Sequence, residues 1–341
     1  MSEATENRWP TVDANRQTVL KILLAITIPV IFMAIPVLLQ GKSLLPFFST
    51  LWGATFGTPN GWAQTLVKAT PVFIAGMGVL LAFRTGFWNI GAEGQIAIGA
   101  FTGMAVIFNG PSLPPIAQIG LVFVVASVAG GLYALIAGWL KVALDINEIL
   151  TTLMLNFIAL LLVDYGAKGI WSSPLGYPFS EELPATVQLP TILYGNIHAG
   201  ILIGFILFPI LGIILYKSPL GFELRAVGAD PEAAKNSGMS VSRTTLLVVF
   251  ISGGLAGLAG AIELLGVVGR LQEGITGPNY GYVAIIATLL AGHKLRRLPL
   301  TALLLGGLLA ASVALQVSIS GGTELFVIGI LLLIIVSFYE G

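Results

Sequence analysis

Residues 228–239 read GADPEAAKNSGM, a polar stretch set between long apolar runs. Asp230 can cap the first free backbone amides of a short helix. Pro231 suits the first helical position, and Glu232 places negative charge near the positive end of the helix dipole. Gly238 can adopt the left-handed turn that ends a helix. The pattern predicts a helix of about two turns, which serves either for docking or as a plain connection.

The composition on either side of this stretch indicates a polytopic membrane protein. Of 341 residues, 56% are hydrophobic and 9% are charged, and the mean hydropathy is +0.94, whereas soluble domains carry about 25% charged residues. Cysteine is absent, which excludes disulfides and cysteine-ligated metals. Two histidines are too few to favour a histidine metal site. We expect no metal, cofactor or catalytic residue, and no nucleic-acid partner.

About ten apolar runs are long enough to cross a bilayer as helices. They cover approximately 18–40, 62–83, 91–108, 116–140, 148–168, 198–216, 243–264, 280–293, 298–318 and 323–339. The run 44–58 is too short to span, and its aromatic residues suit an interfacial or re-entrant segment. The sequence therefore predicts an all-α fold with a tail over 1–17, and one transmembrane domain over 18–341 that includes the loop 217–243.

The basic residues predict the orientation of these spans. With the amino terminus inside, most of the 16 Lys and Arg residues lie on the cytoplasmic face, as the positive-inside rule requires. Both termini and the loop 217–243 are then cytoplasmic. Spans two to five and seven to ten run in opposite senses, which is the layout of an inverted repeat.

The stretch RTGFWNIGAEGQ (residues 84–95) joins two spans and is rich in glycine and polar residues. One interpretation is a broken helix that borders a translocation path, with Asn89, Glu93 and Gln95 as polar contacts. Non-helical backbone occurs at membrane depth only where protein or a water-filled cavity supplies hydrogen bonds to its N–H and C=O groups. The other is a cytoplasmic turn in which Glu93 pairs with Arg84 or favours a helix amino end.

Four further polar residues fall within predicted spans. We expect Lys68 to extend toward the membrane surface and Asn156 to form an interhelical hydrogen bond. Asp164 and Glu263 lie near predicted outer ends, where solvent would satisfy them.

Glycine is concentrated in two places. Gly253, Gly257 and Gly260 form a small-residue face on the seventh span, which predicts close helix packing. The glycine-rich stretch 266–282 is either a second broken element, matching 84–95 in the repeat, or a flexible outer loop.

These motifs resemble those of a known transporter family. NIGAEGQ (residues 89–95) resembles the signature of permease subunits of bacterial nucleoside ABC importers. RAVGADPEAA (residues 225–234), continuing to Gly238, is similar to the cytoplasmic loop of the wider family, which covers permeases for simple sugars, branched-chain amino acids and nucleosides. Residues 147–149 and 154–156 also resemble the nucleoside branch. The resemblance extends from about residue 18 to 339.

The resemblance implies that residues 230–239 form a coupling helix that docks into a cleft of an ATPase. The implied coupling residues are Asp230, Pro231, Glu232, Ala233, Ala234, Gly238 and Met239. Candidates for the translocation path are Asn89, Glu93, Gln95 and Asn156.

The resemblance also implies the partners and the location. We expect a separate ABC ATPase that hydrolyses ATP, a second permease that forms a heterodimer, an extracytoplasmic substrate-binding protein and membrane lipid. The chain itself is then a multi-pass protein of the bacterial cytoplasmic membrane and not an enzyme. The alternatives are an ABC permease for a simple sugar such as ribose or galactose and an ion-coupled secondary transporter.

Overall fold

The computed structural model describes residues 35, 37–39, 41, 43–277 and 279–318. Most of the first predicted span and all of the last, 323–339, lie outside the described residues. The chain divides into two compact units, one formed by 1–52 with 311–341 and the other by 53–310. In the first unit, Val37, Phe47 and Leu315 form a buried apolar cluster. The second unit contains every candidate site residue.

The described residues form eleven α-helices, one two-stranded sheet and short π- and 3₁₀-helical turns. The helices are α1 (Leu44–Thr55), α2 (Pro59–Arg84), α3 (Ala92–Asn109), α4 (Pro115–Leu144), α5 (Glu148–Tyr165), α6 (Gly200–Lys217), α7 (Pro219–Ala229), α8 (Pro231–Asn236), α9 (Val241–Glu263), α10 (Tyr280–Leu290) and α11 (Leu298–Ser318). Eight predicted spans, those from 62–83 to 298–318, coincide with helices within a few residues.

Within the described residues, six helical segments are long and apolar enough to cross a membrane. They are Pro59–Arg84, Pro115–Leu144, Glu148–Ile170, Gly200–Lys217, Val241–Val268 and Leu295–Leu315. The chain is therefore a helical membrane protein with little sheet. Helix α3, which begins with Glu93 and Gln95 in its first turn, and the short helix α10 are not among the six.

Helix α9 lies at the centre of the larger unit because its glycines permit close contact. A Cβ atom added at Gly257 would overlap the Ala126 carbonyl oxygen of α4, and one added at Gly260 would overlap the Ile96 carbonyl oxygen of α3. Gly253 lies equally close to Gly130. The predicted small-residue face is thus confirmed, with three glycines that let backbones touch.

A two-stranded sheet holds part of the glycine-rich stretch 266–282 against residues 179–182, between α5 and α6. Strand β1 (Phe179–Glu182) pairs antiparallel with β2 (Arg270–Gln272). The guanidinium of Arg270 lies 4.1 Å from the centre of the Phe179 ring, a cation–π contact. Beyond β2 the chain turns back and enters α10, so the glycine-rich stretch is a structured return and not a free loop.

Candidate functional site

The helical structure is interrupted over residues 85–91, between α2 and α3. Side chains form hydrogen bonds with the backbone of this interruption, which is called the polar break below. Asn89 is fully buried; its Nδ2 donates to the Ser252 Oγ and to the Gln95 Oε1, both at 2.9 Å. The Gln95 Nε2 and the Gly91 N–H donate back to the Asn89 Oδ1. Since Ser252 lies eleven residues into α9, this break is roughly 16 Å along that helix from its start.

Asn156 of α5 supports the same break from the opposite side. Its Oδ1 accepts from the Gly94 N–H at 2.8 Å, and its Nδ2 donates to the Ile90 carbonyl oxygen at 2.9 Å and the Tyr282 hydroxyl at 3.1 Å. Gly94 is in the first turn of α3, where the N–H has no partner within the helix. Asn156 therefore caps α3 from a neighbouring helix, which confirms the expected interhelical bond.

Glu93 lies where the amino ends of α3 and α10 meet. Its side chain is 1% exposed, and its Oε2 accepts from the Gly281 N–H at 2.7 Å. A Cβ atom added at Gly281 would overlap the Glu93 backbone nitrogen, so only glycine permits this approach. The positive ends of two helix dipoles converge on one carboxylate. The expected pairing of Glu93 with Arg84 is wrong, while the helix-amino-end alternative is correct.

A second buried carboxylate lies nearby in the bundle. Glu263 is 1% exposed and its Oε1 accepts from the Tyr280 hydroxyl at 3.2 Å. The Lys68 Nζ lies 5.5 Å from the centre of the Tyr280 ring and acts electrostatically on Glu263. The expectation that solvent satisfies Glu263 is wrong, and Lys68 is a half-buried partner of this cluster. The attraction between a nearby cation and a buried carboxylate offsets part of the cost of removing the carboxylate from water.

Arg84 ends α2 and binds the turn that follows α10. Its Nε and Nη2 donate to the His293 carbonyl oxygen at 2.9 and 2.6 Å, and its guanidinium lies 5.6 Å from the centre of the Tyr216 ring. Burial, and then the charge of Arg84, lower the pKa of the His293 imidazole below its usual range. Gly228 of α7 closes the junction, since a Cβ atom there would overlap the Arg84 carbonyl oxygen.

The short helix α8 has the predicted termini. Asp230 caps it, with its Oδ1 accepting from the Glu232 and Ala233 N–H groups at 3.0 Å each. Pro231 occupies the first helical position, and Gly238 has a φ of +85° at the carboxyl end. The helix has six residues, which agrees with the predicted length of about two turns. It directly follows α7, a helix that the sequence analysis did not predict.

The exposure of α8 separates the proposed coupling residues into two groups. Glu232 and Ala233 are exposed and Met239 is half-buried. Ala234 is 4% exposed, so its side chain packs within this chain and is not available for docking.

Comparison with known proteins identifies the chain. A family profile described as "Branched-chain amino acid transport system / permease component" matches residues 61–336. The chain belongs to this permease family. It is 34% identical to the guanosine ABC transporter permease protein NupP of Bacillus subtilis (strain 168) over 332 residues, covering 93% of this chain and 91% of the relative.

Two further relatives are similar over most of their length. The permease is 33% identical to the glucose ABC transporter permease protein TsgB13 of Haloferax volcanii over 283 residues, which are 80% of this chain and 74% of the relative. It is 26% identical to the nucleoside ABC transporter permease protein NupB of Lactococcus lactis subsp. cremoris over 286 residues, 79% of each.

Membership in the family has direct consequences. The chain is a transport subunit and not an enzyme, and it is a multi-pass protein of the cytoplasmic membrane. Permeases of this family operate with an ATPase and a substrate-binding protein. Among the described residues, no group of three or more His, Cys, Asp and Glu residues could hold a metal ion.

Sequence reasoning missed several residues of the polar break. Ser252 adjoins the glycine face of the seventh span, to which only close packing was assigned, and Gly281 and Tyr282 fall within the glycine-rich stretch 266–282. The available signal was the pair of Tyr280 and Tyr282 at the start of an apolar run, because a buried tyrosine hydroxyl usually has a hydrogen-bond partner.

Proposed function

We propose that this permease imports nucleosides and that ATP hydrolysis on a partner ATPase drives the import. The proposed cargo rests on the similarity to a guanosine permease over nearly the whole of both chains. The similarity to a glucose permease keeps a simple sugar as the second candidate. A nucleoside contains a ribose, so one hydroxyl-binding path could serve either class.

The proposed membrane arrangement has about ten spans with both termini in the cytoplasm. It comprises the tail 1–17 and a single domain over 18–341. We infer that spans two to five and seven to ten form an inverted repeat. The contact of the α3 and α10 amino ends supports this, because discontinuous helices that meet inside the bundle are typical of transporters built from such repeats.

We infer that α8 is the coupling helix. A rigid, well-capped helix transmits displacement better than a loose loop, and Asp230, Pro231 and Gly238 define both of its ends. Its exposed Glu232 and Ala233, with Met239 beside them, form the proposed ATPase contact. Buried Ala234 anchors the helix to its own chain.

Movement of α8 has a short route to the rest of the bundle. Gly228, two residues before Asp230, touches the backbone at the end of α2, and Arg84 there holds the turn after α10. Displacement by the ATPase would therefore act on helices from both proposed repeats. The complete importer would contain a second, non-identical permease and an extracytoplasmic binding protein.

We propose that the translocation path runs beside the polar break. Asn89, Gln95 and Asn156 are buried, and their side chains already form hydrogen bonds within the polar break. Their proposed role is therefore to maintain the shape of the break beside the path, and not to bind the ligand directly. Glu93 is different, because one of its oxygens has no hydrogen bond of normal geometry among the described residues, although Thr276 lies close to it.

Uptake measurements test the cargo and the energy source. Cells with and without this gene receive labelled guanosine, uridine, ribose or glucose, with the partner ATPase either intact or catalytically dead. Loss of nucleoside uptake in both mutants is expected. Loss of sugar uptake alone would favour the second candidate, and uptake that survives the dead ATPase would exclude an ATP-driven importer.

A substitution pair tests the coupling helix. Ala233→Trp should abolish nucleoside uptake and substrate-stimulated ATP hydrolysis, because the indole would prevent α8 from seating on the ATPase. Ala143→Trp, at an exposed position near the end of α4, is the matched control and should retain both activities. Membrane levels of the two variants are compared by immunoblotting. Normal uptake by Ala233→Trp would exclude α8 as the docking element.

A further inference from the structure

A cavity opens beside Glu93 between the second half of α5 and the return after β2. Its volume is about 510 Å³, within the ~300–1,000 Å³ typical of small-molecule sites. Glu93 lines it from α3, Phe157 and Asp164 line it from α5, and Thr276 lines it from the return. The cavity is therefore assembled at the polar break, from the elements that Asn156 and Gly281 hold together.

Glu93 presents an unused acceptor in this setting. Gly281 binds its Oε2, whereas its Oε1 is buried and has no hydrogen bond of normal geometry among the described residues, although Thr276 lies close. Buried polar atoms in native proteins nearly always have a partner. A carboxyl oxygen accepts hydrogen bonds whether or not the group is ionised, so a ligand hydroxyl or N–H would complete the site.

The remaining lining specifies the chemistry of that ligand. Asp164 and Glu273 add two carboxylates, and Lys168 is engaged with both. With Glu93, acidic groups outnumber basic groups by three to one among these residues. A phosphate group would meet like charge without a free cation, and like charges in a poorly solvated site repel strongly.

An apolar wall faces these carboxylates. Phe157 is 56% exposed and Leu161 is 69% exposed, and both line the same cavity as the buried carboxylate of Glu93. An aromatic face beside hydrogen-bond acceptors suits a flat heterocycle with attached hydroxyl groups. The lining thus favours an uncharged nucleoside over a nucleotide.

We propose that this cavity is the nucleoside-binding site of the translocation path, in which the Glu93 Oε1 accepts a hydrogen bond from the ligand, Phe157 contacts the base, and the acidic lining rejects nucleoside phosphates. This inference rests on the proposed import of nucleosides and adds the site and its basis for discrimination.

Binding to the purified full-length permease in detergent tests the site, with labelled guanosine as the probe and guanosine monophosphate and ribose as competitors. Glu93→Gln keeps the shape and an acceptor for Gly281 but removes the charge. With the amide oxygen on the Gly281 N–H, the amide NH2 faces the ligand and cannot accept, so guanosine affinity should fall about tenfold, the equivalent of one lost hydrogen bond of about 1.4 kcal/mol. The preference for guanosine over its monophosphate should shrink, because one repelling carboxylate is gone.

Two further variants separate ligand contact from folding. Phe157→Ala changes an exposed side chain, so it should leave the fold intact, weaken guanosine binding severalfold and leave ribose competition unchanged. Glu181→Gln, on strand β1 outside this cavity, should bind as the unaltered protein does.

The outcomes distinguish this inference from the proposed function. If cells import nucleosides but guanosine binds Glu93→Gln and Phe157→Ala as tightly as the unaltered permease, or does not bind the unaltered permease at millimolar concentration, the cavity is not the site. If cells lacking the gene import nucleosides normally, the proposed function fails and this inference fails with it.

Discussion

Replacing Asn156 with alanine tests whether the polar break depends on one side chain. Asn156 is 1% exposed and binds the Gly94 N–H and the Ile90 carbonyl oxygen at 2.8 and 2.9 Å. Asn156→Ala leaves both backbone groups without these partners inside the bundle. An unsatisfied buried group costs about 1–3 kcal/mol, so the free energy of unfolding should fall by about 2–6 kcal/mol.

The size of this effect is diagnostic because ordinary side-chain hydrogen bonds in membranes contribute less. They average about 0.6 kcal/mol and reach about 1.7 kcal/mol, since their partners find alternatives. Tyr133→Phe is the matched control: it removes a 2.7 Å bond from Tyr133 to the Leu155 carbonyl oxygen, but that oxygen lies mid-helix and keeps its own helical partner. We expect a loss of about 0.6 kcal/mol from this control.

The free energy of unfolding is measured by titrating the purified variants with sodium dodecyl sulfate in mixed micelles and following helix content by circular dichroism. The expected order is Asn156→Ala well below Tyr133→Phe, with the unaltered protein highest. Equal, small losses in the two variants would refute the reasoning, because they would mean that water or another side chain satisfies the break without Asn156.

Two further predictions concern the ends of the bundle. Gly228→Ala should separate α7 from the Arg84 carbonyl oxygen, destabilise the protein by about 1–3 kcal/mol and reduce uptake. Gly120→Ala is the control and should have none of these effects, because nothing lies within 4 Å of the added carbon. Normal uptake by Gly228→Ala would exclude this junction from coupling. Burial lowers the pKa of His198 to about 4, below its ordinary value near 6.5, so the folded protein resists its protonation. The contribution of neutral His198 to the free energy of unfolding is fully present above pH 6.5, and the free energy of unfolding should fall by up to about 3 kcal/mol as the pH approaches 4. His198→Gln should flatten this dependence in the same titration, and an unchanged slope would assign the acid sensitivity to other groups.

Local features were predictable because their interactions span few residues. The cap of α8 joins Asp230 to atoms two and three residues away. The glycine face of α9 follows from helical spacing alone. Apolar length placed eight of the described helices within a few residues, since a helix that crosses the bilayer must be long enough to span its thickness. Helix α7 was missed, as its sequence contains no apolar stripe long enough to distinguish it from a polar connection.

The candidate site was only partly predictable. Asn89, Glu93, Gln95 and Asn156 were selected as polar residues in apolar surroundings, which composition reveals. Their partners were not, because Gly281 lies 188 residues from Glu93 in sequence. The position of Glu93 as a cytoplasmic turn residue paired with Arg84 was an equally good local interpretation.

The sequence by itself determined that this chain is a helical membrane protein with a capped helix in a polar loop, because apolar length and capping are local properties, and its motifs carried the resemblance to permeases. Only the tertiary structure decided that two helices begin against each other inside the bundle, that Glu93 is held there by the Gly281 N–H, and that Arg84 binds the turn after α10 and not Glu93. The reason is that a buried polar group takes whichever partner the packing of distant helices brings within hydrogen-bond distance, as the close approach of Gly281 does for Glu93.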